Sequence, residues 1–74
     1  MAKQYDNFFD FPSGARIAIR EARYISHVKE REDGLLFFEV AFGNIRHIEV
    51  HSLIQPLNAV RNEFIERHKF LNQS

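Results

Sequence analysis

Apolar residues recur along this chain with two different periods. Between Ala15 and His51 they fall mostly at every second position in short runs, the period of a strand whose side chains alternate between two faces. From Leu53 onward they recur every third or fourth residue, the period of a helix. Arg16-Ile17-Ala18-Ile19-Arg20 alternates cleanly and predicts a first strand with Ile17 and Ile19 inward. Glu21-Ala22-Arg23 leads into a second, Tyr24 to Glu30, in which Ile25 and Val28 have opposite parity and so predict a bulge or irregular entry. Asp33-Gly34 and Gly43-Asn44 are turn dipeptides that bracket a third strand, Leu35 to Phe42. A fourth, Ile45 to His51, places Ile48 and Val50 on one side, expected to face the core, and His47, Glu49 and His51 on the other, expected to face water.

The helical stripe consists of Leu53, Leu57, Val60, Phe64 and Leu71, broadened by Ile54 and Ile65, with Arg61, Glu63, Glu66 and Arg67 mostly off it. Ser52 with Gln55 resembles a capping box, while Pro56 belongs in a first turn, so the start falls at Ser52 or Gln55 and the end near Leu71. The expected fold is α+β: a four-stranded antiparallel β-meander with one C-terminal amphipathic helix packed on one face, preceded by an extended N-terminal arm. The core expected from it is Ile17, Ile19, Phe38, Val40, Ile48, Val50, Leu57, Val60 and Phe64. Between residues 15 and 70 this layout, a meander with a Gly-containing tight turn and then a helix, is similar in hydrophobic pattern to small flagellar-operon proteins of the swarming-motility type. The similarity carries no distinctive motif, and it implies no function and no site residue.

The third strand is apolar on both faces. Leu36, Phe38, Val40 and Phe42 line one side and Leu35, Phe37, Glu39 and Ala41 the other. One helix covers one face, so Leu35 and Phe37 need a second cover. Residues 1–14 offer one, an arm in which Tyr5, Phe8, Phe9 and Phe11 are interleaved with Asp6, Asn7 and Asp10 and closed by Pro12-Ser13-Gly14. Each fully buried ring stabilises by roughly 1.5–3 kcal/mol, so the arm is expected to dock on the Leu35–Phe37 face. It can do so within its own subunit, on a neighbouring copy or on a foreign protein.

Size bears separately on self-association. Seventy-four residues make at most one domain, 15–74 behind the arm 1–14, and such a chain buries only roughly 60% of its unfolded surface. Cysteine is absent, so neither a disulfide nor a thiolate metal site can reinforce it, and self-association is the remaining support. Ten basic residues balance ten acidic ones, which removes any global field toward nucleic acid or membrane. There is no apolar run of about 18 residues and no signal-peptide layout at the N-terminus, so a cytoplasmic protein without membrane contact is expected.

Candidate chemistry is sparse. His47-x-Glu49-x-His51 groups two imidazoles and a carboxylate on one strand face, but the outer pair are about 13 Å apart at the backbone, too far to close on one ion. His27 and His68 are isolated. Ser13, Ser26 and Ser52 lack the elbow of an activated nucleophile, and no helix follows Ser13-Gly14 to make a phosphate cradle. No enzyme activity and no cofactor are expected. Residues 13–31 are locally basic, with Arg16, Arg20, Arg23, Lys29 and Arg31 against Glu21 and Glu30, and Tyr24 or Phe37 could stack bases. Single-stranded nucleic-acid binding on the sheet is therefore the alternative reading, weakened by the zero net charge and by the acids that interrupt the patch. Small-ligand capture at a subunit interface is a third. The leading reading is a non-catalytic protein-interaction module and homodimer. It would be an adaptor, regulator or inhibitor of a larger protein, of a kind found on mobile genetic elements. It would dock through Tyr5, Phe8, Phe9, Phe11, Leu35 and Phe37, with Arg16 and Arg20 as a polar rim.

Overall fold

A computed structural model describes residues 7–72. Its elements are β1 (Phe8–Asp10), β2 (Arg16–Ala18), a 3-10 turn (Ile19–Glu21), β3 (Ala22–Ile25), β4 (Lys29–Glu30), β5 (Leu36–Phe42), β6 (Ile45–His51) and α1 (Ile54–Asn72). The fold is α+β, as expected: a four-stranded antiparallel sheet with one C-terminal helix. β5 is its centre, with β3 and β4 in succession along one side and β6 along the other.

Sheet membership differs from the expected meander in two respects. The second predicted strand is broken into β3 and β4 around Ser26, a buried residue whose hydroxyl accepts the Glu39 N–H at 2.8 Å while its own N–H donates to the Glu39 carbonyl at 2.9 Å. A side chain thus takes over a ladder bond, and the parity conflict between Ile25 and Val28 is resolved. A separate bulge lies earlier, within β3, since the register moves from Ala22 opposite Phe42 to Tyr24 opposite Ala41 and leaves Arg23 as the extra residue. The first predicted strand stays outside the sheet. It ends at Ala18 and pairs with the N-terminal arm as a two-stranded hairpin, Phe9 opposite Ile17. The loop is closed by Gly14 N–H to the Phe11 carbonyl and Phe11 N–H to the Ala15 carbonyl, both 2.8 Å. Asn7 then ties down the 3-10 turn, accepting the Ile19 N–H on its carbonyl and the Arg20 N–H on its side chain.

The hairpin and α1 share one face of the sheet, and the core lies between them: Phe9, Phe11, Ile17, Ile19, Phe38, Val40, Leu57 and Phe64. Phe9 meets Phe11 at 4.8 Å between ring centroids and Phe64 edge-on at 5.3 Å, and Phe11 also lies against Phe64 and Phe38. The arm therefore docks on the Phe38 side of β5, the face it was expected to leave to the helix. The expected Leu35–Phe37 contact is corrected.

β6 is corrected as well. Phe42 pairs with Ile45 across the two-residue turn Gly43-Asn44, which a left-handed Gly43 (φ 59°) opens in the manner of a type II′ hairpin. That pairing puts Phe38 opposite Glu49 and Val40 opposite His47, so His47 and Glu49 face the core. Of the expected core residues, Ile48 is 49% exposed and Val50 only half-buried. α1 keeps the predicted stripe: Leu57 and Phe64 are buried, and Val60 and Leu71 pack against the core. Leu53 precedes the helix and is exposed, and Pro56 is the third helical residue, where its missing N–H costs nothing.

Candidate interaction surface

Hairpin and helix both cover the inner face, and among the described residues no element covers the outer one. Cross-strand register places Phe37 beside Lys29 and Val50, Ile48 beside Glu39, and Ala41 beside Tyr24 and Arg46. Tyr24 is 55% exposed, and Phe37, Ala41 and Val50 are half-buried by their neighbours. One ion pair crosses the patch, Arg46 to Glu39 at 3.9 Å, leaving an apolar surface with little net charge.

The two sides of the sheet are finished differently. At the two ends of β3 helical side chains take a main-chain carbonyl each: Arg61 Nε donates to Ser26 O at 2.8 Å, just past the strand, and His68 Nε2 to Ala22 O at 3.2 Å. β4 is only two residues long, a common way of blunting an edge. β6 runs for seven residues and, among the described residues, pairs with β5 alone. Its outer edge is a row of main-chain donors and acceptors with no strand beside it.

The inner side of β6 holds a polar clip. Glu49, 3% exposed, accepts Ser13 Oγ–H at 2.7 Å, the Ser13 N–H at 3.2 Å and His47 Nε2–H at 2.8 Å. Three donors compensate the burial of one carboxyl group, and they anchor the hairpin loop to the sheet. The His47 ring lies 4.5 Å from Phe11, which holds it against the arm. Ser13 and His47 both bond to the carboxyl group and not to each other. His51 is drawn elsewhere, accepting the Leu53 N–H at 2.9 Å where the chain turns into α1. Among the described residues no three His, Asp or Glu side chains converge to hold a metal ion.

The structure divides the predicted docking residues among different places. Tyr5 lies outside the described residues. Phe9 and Phe11 are core residues of this chain, and Arg67 stands over the Phe9 ring at 5.2 Å. Phe8 is 46% exposed on the hairpin, with the Arg16 guanidinium 5.0 Å from its ring and Arg16 also 3.8 Å from Asp10. Arg20 is exposed in the 3-10 turn, past the end of β2, so no strand face joins it to Arg16. Leu35, half-buried, closes the β4–β5 turn, and Phe37 lies on the outer face, on the opposite side of the sheet from Phe8 and Arg16. Arg16 and Arg20 thus lie apart from Tyr24 and Phe37, which share the outer face with Lys29 and Arg46. Sequence reasoning missed Ile48 and Val50 as surface residues and Ser13 as a partner of Glu49. The first follows from the parity of a two-residue turn; the second has no sequence signal, since it joins positions 36 residues apart.

Among the described residues no helix is long and apolar enough to cross a membrane. No protein-family model, curated protein or solved structure matches the chain.

Proposed function

We propose that this chain is a non-catalytic protein-interaction module that works as a homodimer, two copies joining antiparallel along β6 to make one continuous sheet. The observation that carries the reading is the open seven-residue edge of β6, longer than the four residues of β3 and the two of β4 on the other side of the sheet. A two-fold axis perpendicular to the sheet keeps the outer faces of both copies on one side, so it passes through a residue position of β6. Centring on Glu49 would oppose two carboxyl groups, and centring on His47 two imidazoles. Centring on Ile48 sets Ile48 against its own copy, Arg46 against Val50, and His47 against Glu49, with no like pair opposed. Each good cross-strand pair contributes roughly 0.2–1 kcal/mol, and the main-chain bonds of both strands add to that. The joined outer faces would then offer a larger partner an apolar surface twice the size, which suits an adaptor, regulator or inhibitor.

Sedimentation or light scattering of the purified protein tests this. The expected mass is twice the chain's 8.8 kDa, and Ile48→Lys, which puts two ammonium groups face to face at the axis, should give the monomer. Tyr24→Lys, at the far side of the same face, should leave the dimer intact. A monomeric wild type, or a dimer lost with Tyr24→Lys and kept with Ile48→Lys, refutes edge pairing.

A further inference from the structure

A groove runs between β3 and the C-terminal half of α1, and it holds a half-open pocket of about 120 Å³. Buried Phe64 and half-buried Ile25 and Ile65 form its apolar lining. Its charged groups are of one sign, Arg23 and Lys69, both exposed, with no carboxylate in the lining; Tyr24 and the half-buried His68 complete its polar groups. In a chain of ten acids and ten bases that is a local excess of cation, and among the described residues neither Arg23 nor Lys69 has an ion-pair partner within 4.0 Å. Arg23 owes its place to the β3 bulge, which takes one residue out of the alternation, and bulges commonly re-aim a side chain in this way.

We propose that this groove is a binding site for a small organic acid, with a ring or branched chain against Ile25, Phe64 and Ile65 and the carboxylate held by Arg23 and Lys69. Size sets the apolar part, because a dry cavity of about 150 Å³ takes up one benzene, so this one takes a single ring or branched chain. Charge sets the head group, since the guanidinium fork matches a carboxylate and the ammonium adds a point charge. An extended peptide fits poorly. Strand addition needs a run of free carbonyls, and those flanking β3, of Ala22 and Ser26, already accept from His68 and Arg61. The site lies across the sheet from β6 and does not depend on self-association.

The test is an amide chemical-shift titration of the full chain with phenylacetate, alongside uncharged 2-phenylethanol. Saturable shifts centred on residues 22–25 and 64–69 are expected, with far weaker response to the alcohol. Arg23→Ala and Lys69→Ala change exposed side chains, so their spectra should stay folded. Each should weaken phenylacetate binding about tenfold, the loss expected for one charge-assisted hydrogen bond. Ile65→Trp, which fills the cavity, should abolish it. Absence of saturable shifts in the groove, equal response to the alcohol, or unchanged binding in both alanine variants overturns the proposal.

Discussion

The phase of β6 decides what Glu49 is, and substitution can read that phase directly. With Glu49 inward, Glu49→Ala removes the acceptor of three hydrogen bonds and leaves Ser13 Oγ–H, Ser13 N–H and His47 Nε2–H to find others. An unmade buried hydrogen bond costs about 1–3 kcal/mol, and the three donors are not equally stranded. Ser13 is exposed enough to turn to water, whereas the His47 side chain is only 15% exposed and wedged against Phe11. The sum expected is about 2–4 kcal/mol, with the shortened side chain adding a small cavity. Chains of this length have about 4–11 kcal/mol in all, so the loss is a large share. Ser13→Ala removes one donor and leaves the carboxyl group two, and should cost about 1–2 kcal/mol. Ile48→Ala, at a half-exposed position, should cost under about 1 kcal/mol in the monomer.

Urea denaturation followed by circular dichroism, run at a concentration low enough to hold the chain monomeric, measures all three on one scale. The order Glu49→Ala, Ser13→Ala, Ile48→Ala is the signature of the inward carboxyl group. The opposite phase, Ile48 and Val50 in the core and Glu49 in water, predicts that Ile48→Ala costs more than about 2 kcal/mol while Glu49→Ala is nearly neutral. That outcome would refute the register, and with it the clip between the hairpin loop and the sheet.

The remaining expectations bear on the arm and the turns. Phe11→Ala and Phe9→Ala should each cost about 3–5 kcal/mol and leave the chain barely folded, while Phe8→Ala, which loses a ring–guanidinium contact at an exposed site, should cost under about 1 kcal/mol; equal effects in a thermal melt would mean that the arm is not part of the core. Ser26→Ala leaves the Glu39 N–H without its hydroxyl acceptor and should cost about 1–3 kcal/mol, visible as faster amide exchange at Glu39 and its neighbours. Gly43→Ala meets no atom within 4 Å, so its cost is the left-handed backbone alone, about 1–2 kcal/mol by chemical denaturation. A larger loss there would point to a steric contact that the turn does not have.

Much of the fold was legible because its signals are local. The helical stripe from Leu57 to Leu71, the two Gly-containing turns and the irregularity between Ile25 and Val28 all depend on residues close in sequence. The phase of β6 was legible too, but two signals conflicted. Ile48 and Val50 are apolar and ask for the core, whereas the two-residue turn joins β5 to β6 so that Phe38 and Val40 carry Glu49 and His47 in with them. The larger apolar volume on β5 prevails, since its Phe38 and Val40 are fully buried and the hairpin allows no slip of one residue without reversing both strands. The pairing of β2 with the arm, and not with β3, had no comparable signal. Ile17 and Ile19 need a core in either arrangement, and only the clip of Glu49 to Ser13 and the stack of Phe9 and Phe11 on Phe64 distinguish the two.

The buried carboxyl group and the outer face, which no described element covers, have one cause. A chain this short cannot cover both sides of a sheet, and α1 alone is too narrow to cover even one. The arm fills the rest of the inner face with Phe9 and Phe11, and its loop must then be held over β6, where the turn has placed Glu49 and His47. A hydrophobic pair at those two positions would pack against Phe11 but would give up the bonds from Ser13, so the polar residues inside β6 anchor to the sheet a hairpin loop that its own main-chain bonds close. The same parity expels Ile48 and Val50 to the outer face beside Phe37. The apolar strip next to the open edge is therefore the counterpart of the clip, and a substitution that reversed the phase of β6 would remove both together.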